Sequence, residues 1–276
     1  MALFPPLCHD PPAVSERLDL DRLQALLRTE FTGRRVFYEA SVPSTMEAAQ
    51  REAQAGAPEG AVAIAEEQTA GRGRMGRTWV SPPGVNLYFT VILRPTVEQL
   101  RYLAVIAPLA VCQAIEELTG LMPRIKWPND VAINDKKVCG VLTQSEITGD
   151  RVDVALVGIG INVNLDVAAH EELRAIATSL RAELGREVSR EELLAATLNH
   201  LDALYQALRR GDVVSMAWKH RLDTLGKHVR VSSAAGLMEQ GVAVDADSDG
   251  SLILRRDDGT HVRIEAGEVT LRESGR

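Results

Sequence analysis

The chain has 276 residues, is 45% hydrophobic and carries a formal net charge of −7. That length buries roughly three quarters of the unfolded surface without disulfide or metal staples, and the acidic balance excludes nucleic-acid binding through overall charge. The apolar stretches stop short of bilayer-spanning length, no basic segment leads into an apolar core at the start, and Cys8, Cys112 and Cys139 stand far apart. These features predict no transmembrane helix, no signal peptide, no disulfide framework and no clustered zinc site, hence a reducing, cytoplasmic setting.

Residues 1–17 read as a disordered lead-in. In 19–30, Leu20, Leu23, Leu26 and Leu27 recur at helical spacing. Arg35–Glu39 reads as a strand. Ser44 followed by Glu47 is a capping-box signature, so a helix is predicted from Thr45 to about Gly56. Ala61–Ala65 is a short apolar strand, Gln68–Thr78 a loop, and Val85–Leu93 a strand entered through Pro82, Pro83 and Gly84. A helical stretch runs from Thr96 to Leu118, with Pro108 expected to kink or restart it and Gly120 to end it. Ile125–Lys126, Val131–Ile133, Val138–Ile147 and Val152–Ile161 read as strands turned at Asn134–Asp135 and Gly149–Asp150. Arg190–Leu208 is a helix with a leucine stripe.

From Gly226 to Leu271 the composition changes to short alternating runs with turns at Asp249–Gly250 and Asp258–Gly259, the pattern of about five small strands. The predicted organisation is therefore a catalytic-sized domain over 18–224 and a β module over 225–276. Hairpin-linked strands and helices without regular β-α-β alternation point to an α+β fold with a largely antiparallel or mixed sheet.

Gly71–Arg77 holds three arginines and three glycines in seven residues. It matches G-x-G-x-x-G and nearly matches a P-loop, but both motifs need a helix afterwards to hold phosphate. The following TWVSPPGVNLYFTVIL reads as proline turns and a strand, which removes both readings. What survives is a flexible, cationic segment suited to ordering over a carboxylate or phosphate. A solvated basic turn and a short RNA-binding arginine–glycine segment are the competing readings.

Three further segments have chemical potential. Lys126–Asp130 (KWPND) sits at a strand end, where Pro-Asn-Asp is also plain turn chemistry. Lys137 opens a strand in which Gly140 signals a close approach by a ligand or another strand. Val157–Asn164 (VGIGINVN) ends a strand with glycines that either bulge a core strand or let a flat ligand lie on its backbone. No H-E-x-x-H, clustered histidine pattern or G-x-S-x-G elbow is present, so zinc hydrolysis and a serine triad lack support.

Taken in order, GRGRMGRTW, KWPNDV, KVCGVL and GIGINVN resemble the biotin–protein ligases, and the resemblance runs from about Leu18 to the end. It implies a catalytic domain related to class II aminoacyl-tRNA synthetases followed by an SH3-like β barrel. It also implies a two-step, ATP- and Mg²⁺-dependent reaction: biotinyl-5′-AMP formation, then transfer of biotin to a lysine of a biotin carboxyl carrier protein. By resemblance, Ser44, Thr45, Met46, Gln68, Arg72, Gly73, Arg74, Lys137 and Gly140 surround biotin. Arg74, Arg77, Lys126, Asn129 and Asn162 face the nucleotide, and Lys137, Arg74 and Asp130 act in catalysis, with no certain metal ligand. Met46 departs from the asparagine that members often carry, and Met75 from an arginine. The short segment before Ser44 implies no sequence-specific DNA binding. A lipoate- or octanoate-transferring enzyme of the same fold is the enzymatic alternative, though its R-R-x-S-G-G-G segment is missing. A non-catalytic biotin-binding regulator is the other.

Overall fold

The computed structural model describes residues 17–212, 214–232, 238–265 and 267–271. Nearly all of the predicted lead-in, with Cys8, lies outside them, as do the last five residues of the predicted β module. The main domain runs α1 (Leu20–Leu26), β1 (Val36–Val42), α2 (Thr45–Gln54), β2 (Val62–Gln68), β3 (Leu87–Leu93), α3 (Val97–Leu100), α4 (Leu103–Thr119), β4 (Arg124–Lys126), β5 (Asp130–Ile133), β6 (Lys136–Thr148), β7 (Arg151–Ile161), α5 (Leu180–Leu184), α6 (Arg190–Arg209) and α7 (Ser215–Arg221). The C-terminal strands are β8 (His228–Ser232), β9 (Met238–Ala246), β10 (Leu252–Arg255), β11 (His261–Ile264) and β12 (Glu268–Leu271).

The main sheet has the order β1-β2-β3-β7-β6-β5-β4. Only β1 and β2 pair in parallel, so the sheet is mixed and the fold α+β, as the hairpin-rich sequence predicts. Side chains alternate across it. Val62, Ile64, Leu87, Phe89, Val91, Val157 and Ile159 join one large core with α4 and α6. Ala61, Ala63, Ala65, Ile92, Val154 and Leu156 face α2 on the other side. The run of alanines there lets α2 pack close, which sets the helix N-terminus beside the ends of β2 and β7.

Several boundaries differ from the sequence reading, each for a local reason. The first helix stops at Leu26 because α6 captures the following backbone: Arg28 N–H donates to Asn199 at 2.7 Å, and Glu30 and Thr32 N–H donate to the Asp202 carboxylate at 2.9 and 3.0 Å. The predicted Thr96–Leu118 helix is two helices, but the break falls at Arg101–Tyr102. Pro108 sits inside α4, where its missing N–H forgoes one ladder hydrogen bond without ending the helix. Gly120 ends α4 in a left-handed conformation, φ 72°. Ser44 caps α2 by accepting from Met46 N–H at 3.2 Å, whereas Glu47 does not complete the capping box and pairs with Arg72. The short helices α5 and α7 carry no apolar period of their own and escaped the sequence reading.

The C-terminal strands form an antiparallel sheet in the order β11-β10-β9-β8-β12, the small SH3-like architecture expected. Its Val229, Val231, Ala243, Leu252 and Leu254 belong to the same core as α4. Trp127, 2% exposed, rivets the two parts: its indole N–H donates to the Gly250 carbonyl at 2.7 Å and its backbone N–H to Thr224 Oγ1 at 3.0 Å.

Candidate active site

A cleft of about 340 Å³ opens where the Gly71–Arg77 loop crosses β5, β6 and β7. Ser44, Thr45, Met46, Gln68, Arg72, Gly73, Arg74, Arg77, Lys126, Asn129, Asp130, Lys137, Gly140 and Asn162 all line it. Every residue singled out from the sequence is thus brought to one place, across chain separations of up to 118 positions from Ser44 to Asn162.

One end of the cleft is uncharged. Thr45 N–H and Thr45 Oγ1 both donate to Gln68 Oε1, at 2.9 and 3.2 Å, and Thr90 Oγ1 donates to Thr45 Oγ1 at 2.9 Å. Gln68 Nε2 in turn donates to Ser81 Oγ at 3.0 Å. This chain of bonds holds the α2 N-terminus and the end of β2 as one polar rim. Met46 closes the bottom with its thioether laid on Gly158, where a Cβ would stand 2.6 Å from Sδ.

The other end gathers charge. Arg74, Arg77, Lys126 and Lys137 line the cleft against Asp130 and Asp135, a local cationic excess on an acidic protein. The loop itself is a narrow hairpin: Arg72 bridges Thr78, Gly73 N–H donates to Arg77 O at 2.7 Å, and Trp79 N–H to Gly71 O at 2.9 Å. Met75 (φ 54°) and Gly76 (φ 74°) turn its tip. Arg72 swings outward to Glu47. Arg74 bridges two other segments, donating to Asn129 Oδ1 at 3.0 Å and to the Gly267 carbonyl at 2.9 Å. Lys137 Nζ pairs with Asp130 Oδ1 at 2.7 Å and lies 5.1 Å from the centre of the Trp79 ring.

One sequence reading changes here, and a second gains a partner. The flat group resting on Gly140 and Gly160 is the protein's own Trp79: a Cβ on Gly160 would lie 2.7 Å from Trp79 Nε1, and one on Gly140 3.1 Å from the ring. The glycines therefore seat an indole that walls the cleft, and Trp79 Nε1 is buried with no acceptor among the described residues. Asn162 is 4% exposed and its amide donates to Thr178 O at 3.0 Å, so it pins the 173–178 segment against the cleft. The sequence reading missed Trp79, although it lies two residues beyond Arg77, and missed Leu173, Ile176 and Ala177 entirely. The only signal for the latter was apolar side chains in a stretch without periodicity.

Both described cysteines are fully buried and neither lines the cleft. Burial pushes the Cys112 thiol up to about 12 and the Cys139 thiol well above its usual value. Chemistry in the cleft therefore rests on cations, one lysine–aspartate pair and shape.

The biotin/lipoate A/B protein ligase family model matches residues 38–164, and the biotin protein ligase C-terminal domain model matches 224–272. The chain is 35% identical over 254 residues to the bifunctional ligase/repressor BirA of Bacillus subtilis, covering 89% of this chain and 76% of that protein. It is 37% identical over 227 residues to the biotin–[acetyl-CoA-carboxylase] ligase of Paracoccus denitrificans, covering 75% and 88%. Among solved structures, the biotin protein ligase from Aquifex aeolicus in complex with biotin and ATP superposes with a TM-score of 0.74 at 31% identity, over 87% of this chain and all of that one.

Proposed function

The chain belongs to the biotin/lipoate A/B protein ligase family, and from that premise we propose that the cleft joins biotin to ATP and passes the biotinyl group to a lysine of a carrier protein. The carrying observation is the polarity of the cleft: an uncharged rim at Thr45 and Gln68 faces a cationic end at Lys137 and the loop. That gradient suits an acid with a neutral ring and a terminal carboxylate. The match to the biotin protein ligase C-terminal domain favours biotin over lipoate.

In the first step a biotin carboxylate oxygen attacks the α-phosphorus of ATP, and the bond to pyrophosphate breaks. Lys137 transfers its charge from Asp130 to the carboxylate and α-phosphate, offsetting the negative charge that develops there. Arg74, held by Asn129 and Gly267, keeps the loop across the mixed anhydride, and Arg77 and Lys126 meet the polyphosphate. Holding the two substrates in line supplies much of the acceleration. In the second step the acceptor lysine nitrogen attacks the acyl carbon and AMP leaves with the bonding electrons. Asp130, released by Lys137, orients that amine and takes its proton.

A Mg²⁺ in this reaction would be held mainly by polyphosphate and water, with Asp130 and Asn129 as oxygen donors from the cleft. Among the described residues no group of three or more His, Cys, Asp or Glu side chains converges on one point, and this ion takes few protein ligands. When bound, it neutralises polyphosphate charge. Among the described residues no helix is long and apolar enough to cross a membrane, and we place the reaction in the cytoplasm, with the biotin carboxyl carrier protein of acetyl-CoA carboxylase as acceptor.

The test is incubation with biotin, ATP, Mg²⁺ and a carrier domain, followed by intact-mass measurement. The expected product is a carrier heavier by one biotinyl group, with pyrophosphate and AMP released. Biotin binding without pyrophosphate release would instead make the protein a regulator.

A further inference from the structure

A second hollow, of about 250 Å³, lies behind Met46 between α2 and β6. Gln50 and Gln54 of α2 and Gln144 of β6 form its sides, and Met46, Leu142 and Arg72 line both it and the cleft. The two spaces are therefore separated by a wall one side chain thick. That wall is 8% exposed and made of the most adaptable apolar side chain, unbranched with three rotatable bonds. Met46 Sδ rests on the bare backbone of Gly158, so on that face no side chain wedges the thioether in place, while its other contacts are with the small apolar cluster under α2. At the rim, Arg72 is held by Glu47 in an ion pair whose side chains are 59% and 46% exposed, a weak restraint. The hollow combines an apolar floor, Met46 and Leu142, with the amides of Gln50, Gln54 and Gln144, and the charged side chains that also line it are paired within the protein, Arg72 with Glu47 and Arg51 with Glu39 and Glu52. Those surroundings suit a short, neutral, hydrogen-bonding group.

We propose that this hollow is an extension of the acyl pocket, closed by Met46, which accepts a short uncharged substituent on the ring end of the carboxylic acid. The protein then activates ring-substituted biotins as well as biotin, and Met46 sets the preference between them. The inference rests on the orientation proposed above, ring at Thr45 and carboxylate at Lys137. A hydrophobic wall discriminates a small added group only by roughly 10- to 200-fold, so a pocket with one flexible wall is permissive.

The test measures kcat/KM for pyrophosphate release with biotin and with the two isomers of biotin that carry a 2-hydroxyethyl group on a ureido nitrogen. The proteins are wild type, Met46→Ala and Gln144→Trp, the last filling the hollow from a position outside the cleft. Wild type should activate at least one isomer. Met46→Ala should raise the isomer-to-biotin ratio by about tenfold or more, and Gln144→Trp should lower it by a similar factor while biotin turnover stays within about twofold. The ratio is independent of how much of each variant is folded. Failure of wild type to activate biotin would overturn the functional reading and this inference with it. Normal biotin activation, with no isomer accepted by any of the three proteins or with a ratio unmoved by either substitution, would overturn this inference alone.

Discussion

Adding a single methyl group at Gly160 probes whether the indole of Trp79 is a built wall of the cleft. The new Cβ would stand 2.7 Å from both Nε1 and Cε2 of Trp79 and 3.0 Å from Cζ2. Carbon contacts are comfortable at about 3.5–4.0 Å, so the rigid ring must retreat by roughly 1 Å. Its backbone cannot follow freely, because Trp79 N–H is tied to Gly71 O and Trp79 O accepts from Ser81 Oγ. The displacement therefore passes through Ser81 to Gln68 and Thr45 at the neutral end, and through the ring to Lys137 at the charged end. Overpacking typically costs about 1–3 kcal/mol, and a ring at the edge of an open cleft can yield, which places the stability loss near the lower figure. A protein of this size should lose only about 2–4 °C in Tm for each such kcal/mol. Function should suffer far more, since a misplacement of about 1 Å around reacting groups costs on the order of 100-fold. Biotin-dependent pyrophosphate exchange and thermal unfolding of Gly160→Ala, measured together, separate the two effects. In the Trp79→Ala background the Gly160→Ala substitution should cost almost nothing further, because the clash is gone. Exchange within twofold of wild type in the single Gly160→Ala variant would refute the argument.

Lys137→Ala should abolish adenylate formation, and near-normal pyrophosphate exchange in that variant would end its assignment at the α-phosphate. Arg74→Gly removes the bridge to Asn129 and Gly267 and should release biotinyl-5′-AMP into solution, read as free adenylate by chromatography; retention as complete as in wild type would sink the clamp. Arg190→Met leaves Glu66, 3% exposed, without the cation 2.6 Å away, while the Tyr38 hydroxyl and the Leu18 N–H still donate to it. Breaking such a pair from one side costs about 3–5 kcal/mol, so the urea midpoint should fall steeply, and a shift under about 1 kcal/mol would show the pair to be incidental. Burial, and then the hydrogen bond and charge of Glu66, push the Tyr38 phenol up to about 12 from an ordinary 10. A raised folded-state value in an acid that ionises to an anion means full stabilisation below pH 10, lost as pH rises through 12. Stability should therefore fall across that window, and Tyr38→Phe should lessen the fall in urea titrations.

Much of the fold was legible because its signals are local. The capping serine, the leucine stripe of α6, the Asn134–Asp135 turn and the alternation of β8–β12 each follow from a few neighbouring residues. The helix break at Arg101–Tyr102 was not, because Pro108 is the conspicuous breaker in the sequence, yet the long buried helix α4 runs through it. The early end of α1 depends on Asn199 and Asp202, some 170 positions away. The cleft shows the same division. Its cations and signature segments can be read from the chain, and all of them meet. The role of Gly160 could not be read, since a glycine in a strand announces a close neighbour without saying which. Asn162 likewise offered an amide, but its partner, the Thr178 carbonyl, exists only in the folded form.

The Lys137–Asp130 pair makes ligand capture an exchange rather than an addition. An incoming carboxylate or phosphate meets a lysine that already holds an anion of the protein's own, 2.7 Å away. Small stray anions offer that lysine nothing the aspartate does not, and the tethered aspartate has the advantage of effective concentration. Only a molecule that also fills the neutral end of the cleft can win the displacement. The internal carboxylate is thus a standing competitor, a threshold that converts recognition of the ring into access to the reactive cation.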